Sequence, residues 1–129
     1  MSTSLEAEPI LKELTLYNNP GARSNNLNIN DFASLKNIER LTIRSSNLRA
    51  IGDPIIKLSN FTKLGLLDLS ENYLANFSVA DLPPTLTTIY LNGNRELKGF
   101  DQSFFTMLKE SSVNYINVKS KLKLNIFDK

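Results

Sequence analysis

The sequence predicts an α/β fold: a right-handed solenoid with a parallel sheet of about five strands along one side and short helical turns and extended segments along the other. Three observations lead there. The stretch Leu64 to Leu74, LGLLDLSENYL, puts Leu64, Leu67, Leu69, Asn72 and Leu74 at offsets 0, 3, 5, 8 and 10. That spacing returns four more times, with apolar residues at the framework positions. Leucine and asparagine are in excess, 21 and 16 of 129 residues, as a repeat with several leucines and one sharp turn per copy would produce.

Leu67 and Leu69 alternate with Asp68 and Ser70, which is the period of a strand with one buried face, and Asn72 falls where the chain must turn out of it. One such strand buries nothing alone, so the copies must stack. They are Leu11, Leu14, Leu16 and Asn19; Ile38, Leu41, Ile43, Ser46 and Leu48; Leu86, Ile89, Leu91 and Asn94; and Val113, Ile116 and Val118, with Lys121 at the asparagine position. First positions 11, 38, 64, 86 and 113 are separated by 27, 26, 22 and 27 residues.

This pattern resembles the leucine-rich repeat family from about Leu11 to Val118. Membership would make residues 1–129 a single leucine-rich repeat domain, with a lead-in at 1–10 and a C-terminal cap or tail at 122–129. The resemblance also implies that Asn19, Asn72 and Asn94 form a ladder bonding the exposed backbone of adjacent repeats, a task suited to an amide that both donates and accepts. Ser46 can do part of it. A lysine cannot sit buried there unpaired, so Lys121 marks the expected end of the stack.

Taken in order, the first repeat leaves its strand through the turn-rich NNPGARSNN, and Leu27, Ile29, Phe32 and Leu35 bring the chain back apolar side inward. Asp31 is positioned to cap a short helical turn. In the second repeat Asp53-Pro54 reads as a helix start, with Ile55, Ile56 and Phe61 facing inward. The third closes on Leu82-Pro83-Pro84, which favours an extended return. In the fourth, Ser103 is expected to cap a helix from Phe104 to Lys109 that buries Phe105 and Leu108. Ile51, Phe77 and Phe100 recur 13 or 14 residues after first positions and read as stacked core on the far side.

Composition narrows the function. The formal charge is +2 with both signs spread along the chain, so no nucleic-acid partner is expected. No apolar run reaches membrane-spanning length, and MSTSLEAEPI has neither the basic start nor the apolar core of a signal peptide. Without cysteine or histidine the chain has no disulfide, no Cys/His zinc site, no cysteine nucleophile and no histidine-dependent triad. No carboxylate pair or glycine pattern marks a catalytic, cofactor or metal site, and the expectation is a non-catalytic protein. The sequons at Asn60 and Asn76 match the two or three that chance produces at this composition, so the compartment stays open.

What remains is a surface. Residues alternating with the framework leucines share one face in three rows: Glu13, Arg40, Leu66, Thr88, Tyr115; Thr15, Thr42, Asp68, Tyr90, Asn117; Tyr17, Arg44, Ser70, Asn92, Lys119. Tyrosine and arginine are the residues most enriched at binding hot spots, which selects Tyr17, Arg40, Arg44, Leu66, Asp68, Tyr90 and Tyr115 as the candidate site. Leu66 stands out as a leucine at an outward position. The expected partner is a protein or peptide bound on the concave sheet. The alternative is a scaffold or self-association segment excised from a larger receptor or kinase-linked protein, because recognisable caps are missing at both ends; a third reading, nucleic-acid binding, rests only on Arg40, Arg44 and Lys119.

Overall fold

The structure, a computed structural model, describes residues 10–17, 28–32, 34–49 and 56–118. Five strands form one parallel sheet, hydrogen-bonded in the order β1 (Glu13–Tyr17), β2 (Arg40–Arg44), β4 (Leu66–Asp68), β6 (Thr88–Tyr90) and β7 (Tyr115–Asn117). Two further strands, β3 (Ile56–Lys57) and β5 (Val79–Asp81), make a separate parallel pair within the connections. The expected α/β class and five-stranded parallel sheet are both present. Helix is sparse: among the described residues it amounts to α1 (Gln102–Lys109) and two 3-10 turns, Ile29–Phe32 and Leu58–Asn60.

The alternation seen in the sequence fixes which side of each strand is buried. Leu41, Ile43, Leu67, Leu69, Ile89 and Leu91 have at most 1% of their surface exposed, and Ile38, Leu64 and Leu86 join them in one core. Each is covered by strands on both sides. Leu14 and Leu16 in β1, and Ile116 and Val118 at β7, are only partly buried because among the described residues the outer strands have one neighbour each.

Stacking follows the repeat register without a slip. The Lys12 carbonyl accepts from the Glu39 and Arg40 amides at 2.7 and 3.1 Å, that of Glu39 from Gly65 and Leu66 at 2.8 and 3.1 Å, that of Gly65 from Thr87 and Thr88, and that of Thr87 from Asn114 and Tyr115. One carbonyl thus positions two amides of the next repeat each time.

The exits from the strands are equally regular. Ser45, Glu71 and Gly93 have left-handed backbone, φ +54°, +60° and +80°, and each stands seven residues after its repeat's first position. The residue after each is buried: Ser46, Asn72 and Asn94. Asn72 Nδ2 donates to the Ile43 and Leu69 carbonyls at 2.8 and 3.0 Å, while its Oδ1 accepts from the Ser46 and Leu48 amides at 2.9 and 3.1 Å. Asn94 Nδ2 donates to Leu69 and Leu91 at 3.1 and 2.9 Å, and its Oδ1 accepts from Leu74 at 2.9 Å. Ser46 Oγ reaches the Arg44 carbonyl of its own repeat at 3.0 Å.

Three local expectations are corrected. At the first 3-10 turn the side-chain acceptor is Asn28, which takes the Asn30 amide at 2.9 Å, while Asp31 lies exposed inside the turn. Helix α1 begins at Gln102 and is capped by Asp101, whose Oδ1 accepts from the Phe104 amide at 3.3 Å and from Ser103 Oγ at 3.1 Å. Its buried pair is Phe104 and Leu108, and Phe105 is half-buried, because Phe104 fits edge-to-face on Phe77 with ring centroids 5.6 Å apart. Phe77 is buried as expected, whereas Phe100 is half-buried and packs on Phe104 at 4.8 Å. The expectations for the lead-in before residue 10, the turn NNPGARSNN with Asn19, Leu27, Ile51, Asp53-Pro54, Ile55, Lys119, Lys121 and 122–129 lie outside the described residues.

Candidate functional site

The parallel register builds the open face of the sheet from the rows read in the sequence. Glu13, Arg40, Leu66, Thr88 and Tyr115 are successive register partners from β1 to β7, and so are Thr15, Thr42, Asp68, Tyr90 and Asn117. Tyr17 and Arg44 begin the third row. Strand spacing of about 4.8 Å sets neighbouring side chains within mutual reach.

Five of the seven candidate residues, Arg40, Arg44, Leu66, Asp68 and Tyr90, line one hollow of about 420 Å³. Tyr115 adjoins it through Tyr90: the rings meet edge-to-face, centroids 5.7 Å apart and planes at 66°. Tyr115 is 45% exposed and Tyr17 64% exposed, and Tyr17 is not part of the lining. The fourth tyrosine, Tyr73, lies outside the rows and stacks under the Arg49 guanidinium at 5.8 Å.

Two outward positions behave differently from expectation. Leu66 is half-buried, since in a stacked row its side chain lies between those of Arg40 and Thr88. Ser70 keeps its place in the hollow's lining but is 2% exposed, drawn down by the turn in which Asp68 Oδ1 accepts the Ser70 amide at 2.9 Å. Asp68 therefore shapes the end of β4 as well as contributing charge to the face.

The hollow carries both signs of charge, Arg40 and Arg44 against Glu13 and Asp68, with hydroxyls and amides between them. Asn92 is among the lining residues, and its Oδ1 atom is buried without a hydrogen-bond partner. Such a surface offers forked donors, acceptors and ring faces, which are the elements of recognition. Among the described residues no group of three His, Cys, Asp or Glu side chains is placed to hold a metal ion, and no helix is long and apolar enough to cross a membrane.

A second hollow, of about 330 Å³, escapes a reading confined to the three rows. It lies against the first at Arg40 and Leu66 and is otherwise lined by Glu39, Lys63, Gly65, Thr87 and Thr88. Its signal was present in the spacing: Lys12, Glu39, Gly65, Thr87 and Asn114 form a row at offset one, and the middle member has no side chain.

Comparison with family models, curated proteins and solved structures finds no match to this chain.

Proposed function

We propose that the chain is a leucine-rich repeat solenoid and that it works without catalysis, recognising a protein or peptide on the concave face of its five-stranded sheet. The observation that carries this reading is the gathering of Arg40, Arg44, Leu66, Asp68 and Tyr90 around one hollow, with Tyr115 in edge-to-face contact with Tyr90. Aromatic anchors beside arginines on a rigid sheet lose little side-chain entropy on binding, and the fully framed core beneath them holds their spacing constant. The recurring offsets of the framework residues support the solenoid, as do the asparagine bonds between repeats.

The test is capture of partners from a lysate or secretome by the wild-type chain and by the Tyr90→Ala/Tyr115→Ala double variant. Loss of specific partners from the variant is the expected result. Identical partner sets would remove this face from the account.

Self-association is the second reading. It is favoured by Ile10, Leu11 and Tyr17, which stand exposed on the β1 side of the sheet. Concentration-dependent mass by sedimentation separates it from recognition of a different protein.

A further inference from the structure

The second hollow owes its shape to Gly65, and nothing in the backbone requires glycine there. Its φ lies outside the left-handed region, and a Cβ built on it would meet only the Glu39 and Thr85 carbonyl oxygens at 3.6 and 3.8 Å, ordinary van der Waals distances. The Gly65 amide and carbonyl are both engaged in the interstrand ladder, so a side chain would disturb no bond. The effect of glycine is to leave a notch in the row between Glu39 and Thr87. Around that notch stand two cations, Arg40 and Lys63, and one carboxylate, Glu39. Lys63 is held at the rim, its Nζ donating to Asn37 Oδ1 at 2.6 Å.

The notch and the larger hollow share Arg40 and Leu66 and form one trough beside β4. From Gly65 to Ser70 it covers five residue steps, roughly 17 Å of extended chain. Its flank carries the Tyr90–Tyr115 pair.

We propose that the partner presents an extended peptide segment along β4, with a carboxylate side chain seated in the Gly65 notch between Arg40 and Lys63 and an aromatic or apolar side chain against Tyr90 and Tyr115. The trough as a whole is neutral, three cations facing three carboxylates, but at the notch Arg40 and Lys63 face Glu39 alone; that local excess of one positive charge favours an acidic group there, and the missing Cβ admits it. This rests on the recognition reading above and names the chemistry of its ligand.

The full-length chain is immobilised and used to select from a display library of short random peptides, and the enriched peptides are synthesised. Enrichment of Asp or Glu a few residues from an aromatic is expected. Gly65→Gln, which fills the notch, and Lys63→Gln, which removes a cation, should each weaken those peptides by about tenfold or more, with Gly65→Ala intermediate. Thermal melts followed by circular dichroism check that the variants fold. If the selected peptides are lost on Tyr90→Ala/Tyr115→Ala but are indifferent to Gly65→Gln and Lys63→Gln in folded variants, the notch assignment fails while recognition by the face stands. Selected peptides that ignore both pairs of variants, or a selection that enriches nothing, overturn both.

Discussion

Asn72 and Asn94 share one acceptor. Both amides donate to the Leu69 carbonyl, at 3.0 and 3.1 Å, although the two residues belong to successive repeats. The shared oxygen ties the turn after β4 to the turn after β6, and the two side chains differ in how much else they hold. Asn72 satisfies two amides of the preceding repeat, Ser46 and Leu48, whereas Asn94 satisfies one, Leu74.

Asn72→Ala should therefore be the costlier change. It removes the side-chain acceptor of the Ser46 and Leu48 amides and a donor to the Ile43 carbonyl, and at roughly 1 kcal/mol for each lost bond a cost of about 3 kcal/mol is expected. Asn94→Ala should cost visibly less. Equal losses in urea titrations would show that the turns are not held by these bonds.

Gly93 combines φ +80° with a close approach, since a Cβ there would lie 3.2 Å from the backbone Cα and nitrogen of Glu71. Gly93→Ala should lower stability by about 1 to 3 kcal/mol, through strain at the left-handed position and displacement of the neighbouring turn. Glu71 already carries a side chain at φ +60°, a conformation that glycine adopts without strain, so Glu71→Gly should be neutral or stabilising by up to about 1 kcal/mol. Thermal melts of the pair read the difference in sign.

Strand phase is tested at β4. Leu67 is fully buried, and Leu67→Ala should cost about 2 to 5 kcal/mol as a core truncation. Asp68→Ala should cost about 1 kcal/mol, because the lost group is the acceptor of the Ser70 amide in addition to a surface charge. Similar free-energy changes for both in denaturant would place the strand in the wrong phase.

Binding and folding should separate cleanly between the two faces of the sheet. Tyr90→Ala and Tyr115→Ala are each expected to weaken partner binding by about 1 kcal/mol or more with little change in melting temperature. Phe77→Ala removes a buried ring that packs on Phe104 and should cost about 3 to 5 kcal/mol of stability. Calorimetric binding alongside thermal melts distinguishes the two outcomes.

At the helix, Asp101→Ala should destabilise by about 0.5 to 2 kcal/mol, and Ser103→Ala by less, since only Asp101 accepts an amide of the first turn. A larger loss at Ser103 would restore it as the cap.

The sheet and most of its face were legible in the sequence because one constraint acts on both. A strand with period two in a fixed repeat puts Leu67 inside and Asp68 outside, and once Leu66 is registered with Arg40 and Thr88 the rows follow without further information. What was misread depends on local bonds that compete within a residue or two. Asp101 and Ser103 can both serve as caps, and so can Asn28 and Asp31 at their turn; the chain chose the earlier residue in both places. Exposure was also misjudged at Leu66 and Ser70, because periodicity gives the direction of a side chain and not the height of its neighbours. The notch at Gly65 does not show in the three rows, because it arises from an absent side chain one position before them.

The asparagine bonds that cross between repeats all point the same way along the stack. Asn72 reaches back to the amides of the repeat before it, and Asn94 does the same for Asn72's own repeat at Leu74. The turns after β2 and β4 are thus each completed by the following repeat. Opening of the stack from the β7 side would release clasps one by one and bare the amides of the next repeat in line, while opening from the β1 side would leave every remaining clasp closed. Unzipping should then have a polarity: the Leu74 amide should exchange its hydrogen for solvent more readily than those of Ser46 and Leu48, although all three sit in buried turns.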